Sequence, residues 1–288
     1  MQPDSMIRMP GATIQHGPAS DRVYLMKLAT SDVPRIIRFM EELAQDRGYS
    51  KLFAKVPGQA EGWFHANGFT VEARVPGMFR GEKDGCFMAK YPKRERSRIR
   101  DPQSVEDVLE TACRQTRRTT PQTLPEGWSE RGLGPGDADA MADTFRAVFE
   151  TYPFPIHDPD YLRSTMAADV RYFGVLDDEG RLVAISSAEM DPTGSNVEMT
   201  DFATLEDFRG RGLAGRLLAH MEREMRKLGI RTAYTIARAH ATGMNIVFAR
   251  QGYAFAGTLP NNTQIKGGLE SMNVWYKHLE GTKNAQTV

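Results

Sequence analysis

With 288 residues and 40% hydrophobic side chains, the chain is long enough for one large domain or two small ones with cores of their own. Lysine plus arginine equals aspartate plus glutamate at 37 each, so no global field draws it to nucleic acid or an anionic membrane, and no apolar run approaches a membrane span. The N-terminus carries no secretory apolar core, and Cys86 and Cys113 have neither metal-ligand nor redox spacing, as expected of a metal-free protein of a reducing cytoplasm.

In chain order, Lys51-Leu-Phe-Ala-Lys-Val56 reads as a strand, Phe64-His-Ala-Asn-Gly68-Phe69 as a helix end turning into a strand, and Gly85-Cys-Phe-Met-Ala-Lys-Tyr91 as another strand. Phe64, Gly68 and Pro76 return at one fixed offset as Phe248, Gly252 and Pro260, and the surrounding strands have counterparts in Thr232-Ala-Tyr-Thr-Ile236 and Met272-Asn-Val-Trp-Tyr276. The repeat predicts two related α/β units: residues 1–92, a partial and non-catalytic copy, and residues 127–280, a complete one. Residues 93–126 are expected to link them, and residues 281–288 to form a flexible tail. Lys93-Arg-Glu-Arg-Ser-Arg-Ile-Arg100 has no interleaved aromatics and is soon answered by Asp101, Glu106, Asp107 and Glu110. It reads as a solvated connector rather than a nucleic-acid site. A helix-like stretch over 104–117 and a break over 121–127 follow.

The second unit begins with a strand over 129–133 and a helix over 137–150 that turns Met141, Phe145, Val148 and Phe149 inward. Tyr152-Pro-Phe-Pro-Ile-His-Asp-Pro-Asp-Tyr161 is too rich in proline for either element and suits a loop covering a substrate. A hairpin over 172–176 and 181–189 turns at Asp177-Asp-Glu-Gly180, and a strand over 197–204 follows. Next comes Arg209-Gly-Arg-Gly212-Leu-Ala214, opening directly into a helix whose apolar face is Leu213, Leu217, Leu218, Met221, Met225 and Leu228 and whose stop is Gly229. Glycines let a backbone approach a ligand, and the first free amides of a helix grip anions, so this junction is read as a pyrophosphate site. It has neither Gly-x-Gly-x-x-Gly spacing nor the Gly-Lys-Ser/Thr of a nucleoside triphosphate loop. Coenzyme A is the better-fitting ligand.

In residues and context, this loop resembles the Arg/Gln-x-x-Gly-x-Gly/Ala signature of the GNAT superfamily of acyl-CoA N-acyltransferases. The resemblance implies an α/β (α+β) GNAT fold, a mixed sheet flanked by helices, here preceded by the smaller partial copy. More specifically, residues 202–214, 232–239, 243–248, 257–263 and 270–277 look like the β-lysine N-epsilon-acetyltransferase family. So do Ile14-Gln-His-Gly17, residues 21–28 and Phe53-Ala-Lys-Val-Pro57, and the similarity covers nearly the whole chain. It implies direct transfer of acetyl from acetyl-CoA, a co-substrate, to the side-chain amine of β-lysine, giving a zwitterionic osmolyte used in salt stress.

The resemblance also suggests roles for particular residues. Coenzyme A falls to Phe202, Ala203 and Thr204 at the splayed strand end, to Arg209, Gly210, Arg211, Gly212, Leu213 and Ala214, and to Asn245 and Phe248 on the following helix. A lysine-type ammonium must lose a proton before it can attack, which calls for a base. Glu198 is the first candidate and Asp201 the second, although alternation puts Asp201 on the opposite face unless a bulge intervenes. Phe248 stands where many GNAT enzymes carry a tyrosine proposed to protonate the leaving thiolate, which leaves Tyr253, Tyr234 or water to supply that proton. Asp158, Asp160, Glu150 and Glu189 are candidate acids for the substrate's ammonium groups. Arg238, Asn261, Asn262 and Asn273 are candidate partners for its carboxylate. Two other functions fit the same residues: a GNAT enzyme for another primary amine such as lysine, a polyamine or a protein lysine, and a non-catalytic acetyl-CoA-binding regulatory module.

Overall fold

The structure is a computed structural model that describes residues 4–117, 123–265 and 267–279, with the side chain of Thr30 excepted. The proposed tail and part of the 121–127 break lie outside the described residues. The N-terminal half runs β1 (Ser5–Met9), β2 (Ala12–Gly17), β3 (Arg22–Leu28), α1 (Val33–Arg47), β4 (Lys51–Pro57), α2 (Glu61–Ala66), β5 (Thr70–Phe79) and β6 (Lys83–Lys90). After α3 (Pro102–Cys113) come β7 (Ser129–Leu133), α4 (Ala138–Val148), α5 (Pro159–Met166), β8 (Val170–Leu176), β9 (Leu182–Asp191) and β10 (Asn196–Thr204). The chain continues through α6 (Leu213–Lys227), β11 (Thr232–Arg238), α7 (Thr242–Arg250), β12 (Ala254–Ile265) and β13 (Gly268–His278).

All thirteen strands join one sheet in the order 1-2-3-4-6-5-12-13-11-10-9-8-7. Outward from the central β5–β12 contact, the order 5-6-4-3-2-1 repeats 12-13-11-10-9-8, with α1 and α2 in the places of α6 and α7. The two parallel pairs, β3 with β4 and β10 with β11, occupy corresponding positions. The repetition is therefore longer than the strand-helix-strand-strand pattern visible in the sequence. The halves meet where Gly257 opposes Ala73. A Cβ on Gly257, whose φ is +146°, would lie 2.1 Å from the Glu72 carbonyl oxygen, so only glycine lets the two strands approach this closely.

Apolar alternation places the cores. Leu52, Ala54 and Val56 of β4 pack with Ile36, Ile37 and Met40 of α1. On the C-terminal half, Val197 and Met199 pack with Leu217, Leu218 and Met221 of α6. The intervening residues face the other way, and Tyr24, Phe53 and Phe87 share a third core with Tyr234, Met272 and Val274. That shared core brings β3 and β4 of the N-terminal half beside β11.

One expectation about the connector needs correcting. The basic stretch from Lys93 is not wholly solvated, because Arg96 is buried, donating from Nε to the Asn261 carbonyl at 2.8 Å and from Nη2 to the Ser20 carbonyl at 2.7 Å. Its Nη1 reaches Ser50 Oγ at 2.8 Å and Asp21 Oδ2 at 3.1 Å. A charge leaves water when its donors are satisfied and an opposite charge is near, and here both conditions hold. Further along, α3 buries Val105, Val108 and Ala112.

Candidate active site

Pairing between β10 and β11 ends at Glu198 opposite Tyr234, although β10 runs on to Thr204 and β11 to Arg238. The strands diverge there, leaving a wedge in the sheet beside residues 200–204. At its mouth the Gly-rich loop turns through Gly210 at φ +78° and Gly212 at φ +72°, left-handed values that suit glycine. Gly212 is the N-cap of α6, whose first turn carries no acid, so nothing there competes with an anion for the helix amides. Arg209 Nε donates to the Thr204 carbonyl at 3.2 Å, and Arg211 lies over the Phe208 ring at 5.3 Å and the Trp128 ring at 5.9 Å. A cavity of about 340 Å³ lined by Trp128, Arg211, Gly212 and Leu213 opens beside the helix start. A wedge with free strand backbone leading to a bare helix N-terminus is a fit for a pantetheine arm followed by a pyrophosphate.

The wall of the wedge is acidic. Glu189 stands opposite Glu198 across the antiparallel β9–β10 ladder, so both side chains lie on one face. Asp201 joins them because the ladder slips between Thr200 and Ala203, with Asp201 at φ +53°. This bulge changes the parity of the strand, turning Phe202 to the α6 core and Asp201 to the cleft. This is the bulge on which the sequence made the facing of Asp201 depend. Its carboxylate accepts hydrogen bonds from the hydroxyls of Tyr152 at 2.5 Å and Ser187 at 2.6 Å, tying the Pro-rich loop to the cleft.

Burial raises the pKa of all three acids. It pushes Glu189, with Glu198 and Asp201 adding repulsion, up to about 8. It also raises Glu198, while Lys55 and the Tyr234 hydroxyl pull in the opposite direction. Asp201 is raised too, against its hydroxyl donors. Lys55 Nζ donates to the Tyr234 hydroxyl at 2.8 Å, and burial lowers the pKa of that ammonium. A base with a raised pKa, a charge-rich wall and restricted water form a site able to hold an ammonium group and take its proton.

The other sequence candidates are placed unevenly. Ala203 is buried against the α4 side, Thr204 is half-buried, and Leu213 and Ala214 form the first turn of α6. Phe248 is 1% exposed, closed edge-on between Phe202 at 5.6 Å and Tyr253 at 5.2 Å. Tyr253 sits with it on the helix side, beside Glu222 and under the Lys277 ammonium, away from the acidic wall. Asn245 is fully buried and saturated: its Oδ1 accepts from Asn273 and Trp275, and its Nδ2 donates to the Arg238 and Ala241 carbonyls. That network clamps α7 to β11 and β13 and leaves Asn245 and Asn273 no reach to a ligand.

Asp158 caps α5, Asp160 pairs with Arg163 on the surface, and Arg238 is held by Glu270 at 2.5 Å. Asn261 donates to the Arg96 and Arg98 carbonyls. These four have partners of their own, whereas Asn262 lines the cleft. Sequence reasoning missed Arg22, Tyr24, Met26, Phe53 and Lys55, which the N-terminal half contributes to the same cleft. Asp21-Arg-Val-Tyr and Phe53-Ala-Lys-Val-Pro57 lie within the family-like segments, yet no local pattern marks these side chains as facing a site formed by the distant C-terminal half.

Comparison with known proteins agrees with this geometry. Residues 138–253 match the acetyltransferase (GNAT) family model. The chain is 38% identical to a β-lysine N(6)-acetyltransferase of Methanococcus maripaludis, over 95% of this chain and 98% of that one. A protein of the same description from Methanosarcina mazei is 30% identical over 83% of this chain and 95% of its own. The N-acetyltransferase YodP of Bacillus subtilis is 33% identical over 73% of this chain and 76% of its own. The chain thus belongs to the GNAT acetyltransferases and, within them, to the β-lysine N6-acetyltransferase family, as an acetyl-CoA-dependent N-acetyltransferase.

Proposed function

We propose that this enzyme moves acetyl from acetyl-CoA to the side-chain amine of β-lysine by direct transfer in a ternary complex, making N-epsilon-acetyl-β-lysine as a compatible solute. The observation that carries the proposal is the convergence of Glu189, Glu198 and Asp201 beside the open end of the β10–β11 pair. The names of the two relatives above support the choice of amine.

The residues divide the work as follows. A lysine-type ammonium of pKa about 10.4 lies roughly 3.4 units above neutral pH, so freeing the amine costs about 4.6 kcal/mol. The wall of carboxylates attracts the ammonium, and Glu198 accepts its proton. Its raised pKa makes it a stronger acceptor than an exposed carboxylate. The freed nitrogen attacks the thioester carbonyl, whose oxygen is polarised by strand amides over 202–204. The carbon–sulfur bond then breaks, coenzyme A leaving as its thiolate, which is balanced by the second proton that the acylated nitrogen sheds. A thiol of pKa about 8.5 is a good leaving group, consistent with a phenylalanine at position 248.

The test is a comparison of kcat/KM across amines by thiol release, with the product mapped by mass spectrometry. β-Lysine is expected to exceed α-lysine by about 10-fold or more, roughly 1.4 kcal/mol, because misplaced charges leave buried partners unpaired. Putrescine, without a carboxylate, should react poorly. Equal rates on all three would retain the acetyltransferase chemistry and refute this acceptor.

A further inference from the structure

Arg22 opens β3, the N-terminal strand that corresponds to β10, and lines a chamber of about 80 Å³ together with Glu198, Asp201, Tyr152 and Asn262. It is 3% exposed. Nη1 donates to the Asn262 carbonyl at 2.6 Å and to Thr263 Oγ1 at 3.1 Å, and Nη2 to Gln15 Oε1 at 3.3 Å. These bonds fix the plane of the guanidinium but do not exhaust its donors. Nε is buried with no hydrogen-bond partner among the described residues, and so is Asn262 Oδ1.

An unpaired buried donor on a charged group costs about 1–3 kcal/mol or more, and here a donor and an acceptor lack partners on two residues that line one small chamber. A zwitterionic head group would satisfy both. The rings of Tyr24 at 5.0 Å and Phe53 at 5.8 Å cover the guanidinium, excluding water and strengthening a charge pair formed there. No described carboxylate lies within ion-pair distance of Arg22, whose pKa burial lowers to about 10, with Tyr24, Asp4 and Glu198 pulling the other way. Arginine and base therefore face one chamber as separate ends of a site, one suited to a carboxylate and the other to an ammonium.

We infer that Arg22 anchors the carboxylate of the amino-acid acceptor, with Asn262 Oδ1 receiving the neighbouring ammonium, so that the N-terminal half reads the substrate acetylated by the C-terminal half. This rests on the acceptor class proposed above. It gives a role to the half that has no Gly-rich loop, whose Arg22 stands at the start of β3 in the place that Asn196 takes in β10. The guanidinium, held by bonds to β2 and β12, sets the distance from the carboxylate to the amine that meets Glu198.

The deciding probe is 1,4-diaminopentane, which is β-lysine without its carboxylate. Wild-type enzyme should prefer β-lysine by about 30-fold or more in kcat/KM, the range of a charge-assisted hydrogen bond to a buried group. In Arg22→Gln that preference should collapse to within about 3-fold, while the dissociation constant for acetyl-CoA stays put. Arg22→Lys should fall between, keeping the charge but losing the planar fork. A preference that persists in Arg22→Gln, or a wild-type enzyme that treats the two amines alike, overturns the anchor; the second measurement needs no folded variant. If wild-type enzyme instead prefers α-lysine to β-lysine, the acceptor assignment fails separately, and the same comparison of α-lysine with cadaverine decides the anchor.

Discussion

Glu189 and Glu198 face each other directly across the β9–β10 ladder, two carboxylates on the same side of neighbouring strands. Burial penalises both charges and raises both pKa values, with repulsion from Glu198 adding to the rise at Glu189 and from Asp201 to that at Glu198. The arrangement disfavours the empty protein and suits a site whose occupant brings positive charge.

A pH dependence of stability follows. Glu189 has a folded-state pKa of about 8, above its unfolded value, so between the two the native state holds more protons than the unfolded chain. Stability from this group is complete below about pH 4 and declines as pH rises towards about 8. Glu189→Gln should unfold at a higher temperature than wild type at about pH 9, with the gap closing near pH 5. Thermal unfolding across that range checks it; a gap that widens towards acid would refute the assignment.

Glu198→Gln should retain acetyl-CoA binding and lose roughly 10²–10⁴ in turnover. The residual rate should climb with pH as free amine accumulates, because the substrate would then shed its proton to solvent. Near-wild-type turnover at neutral pH would remove Glu198 as base and bring Asp201 forward.

Gly212 caps α6 at φ +72°, where a β-branched side chain is strained and would project at the free amides. Gly212→Val should raise the KM for acetyl-CoA by about 10-fold or more, with the KM for the amine little changed. An unchanged acetyl-CoA KM in a folded variant would exclude this loop as the pyrophosphate site.

Arg96 ties the segment after β6 to the Asn261 and Ser20 carbonyls and to Asp21. Arg96→Ala takes a donor from each of the two carbonyls, while Asp21 keeps its bonds from Ser50, and should cost about 1–3 kcal/mol of stability. Chemical denaturation measures the loss; a cost below about 1 kcal/mol would return this residue to the solvated role its sequence neighbourhood implied.

The sequence by itself determined what depends on local chemistry. Glycines at 210 and 212, set between a strand and an amphipathic helix, predict a turn suited to an anion, and the matched turns at Gly68 and Gly252 reveal part of the repetition. Glu198 was legible because its place relative to that loop lies within one strand and one turn. Only the tertiary structure decided that Asp201 stands beside Glu198, since one bulge reverses the parity on which alternation depends. The same holds for Glu189 as partner to Glu198, for Phe248 and Tyr253 closing on each other away from the acids, and for Arg22 meeting Asn262. Periodicity specifies which face of its own element a side chain takes. Which distant elements share that face depends on the register and packing of the whole sheet, set cooperatively by residues far apart in the chain.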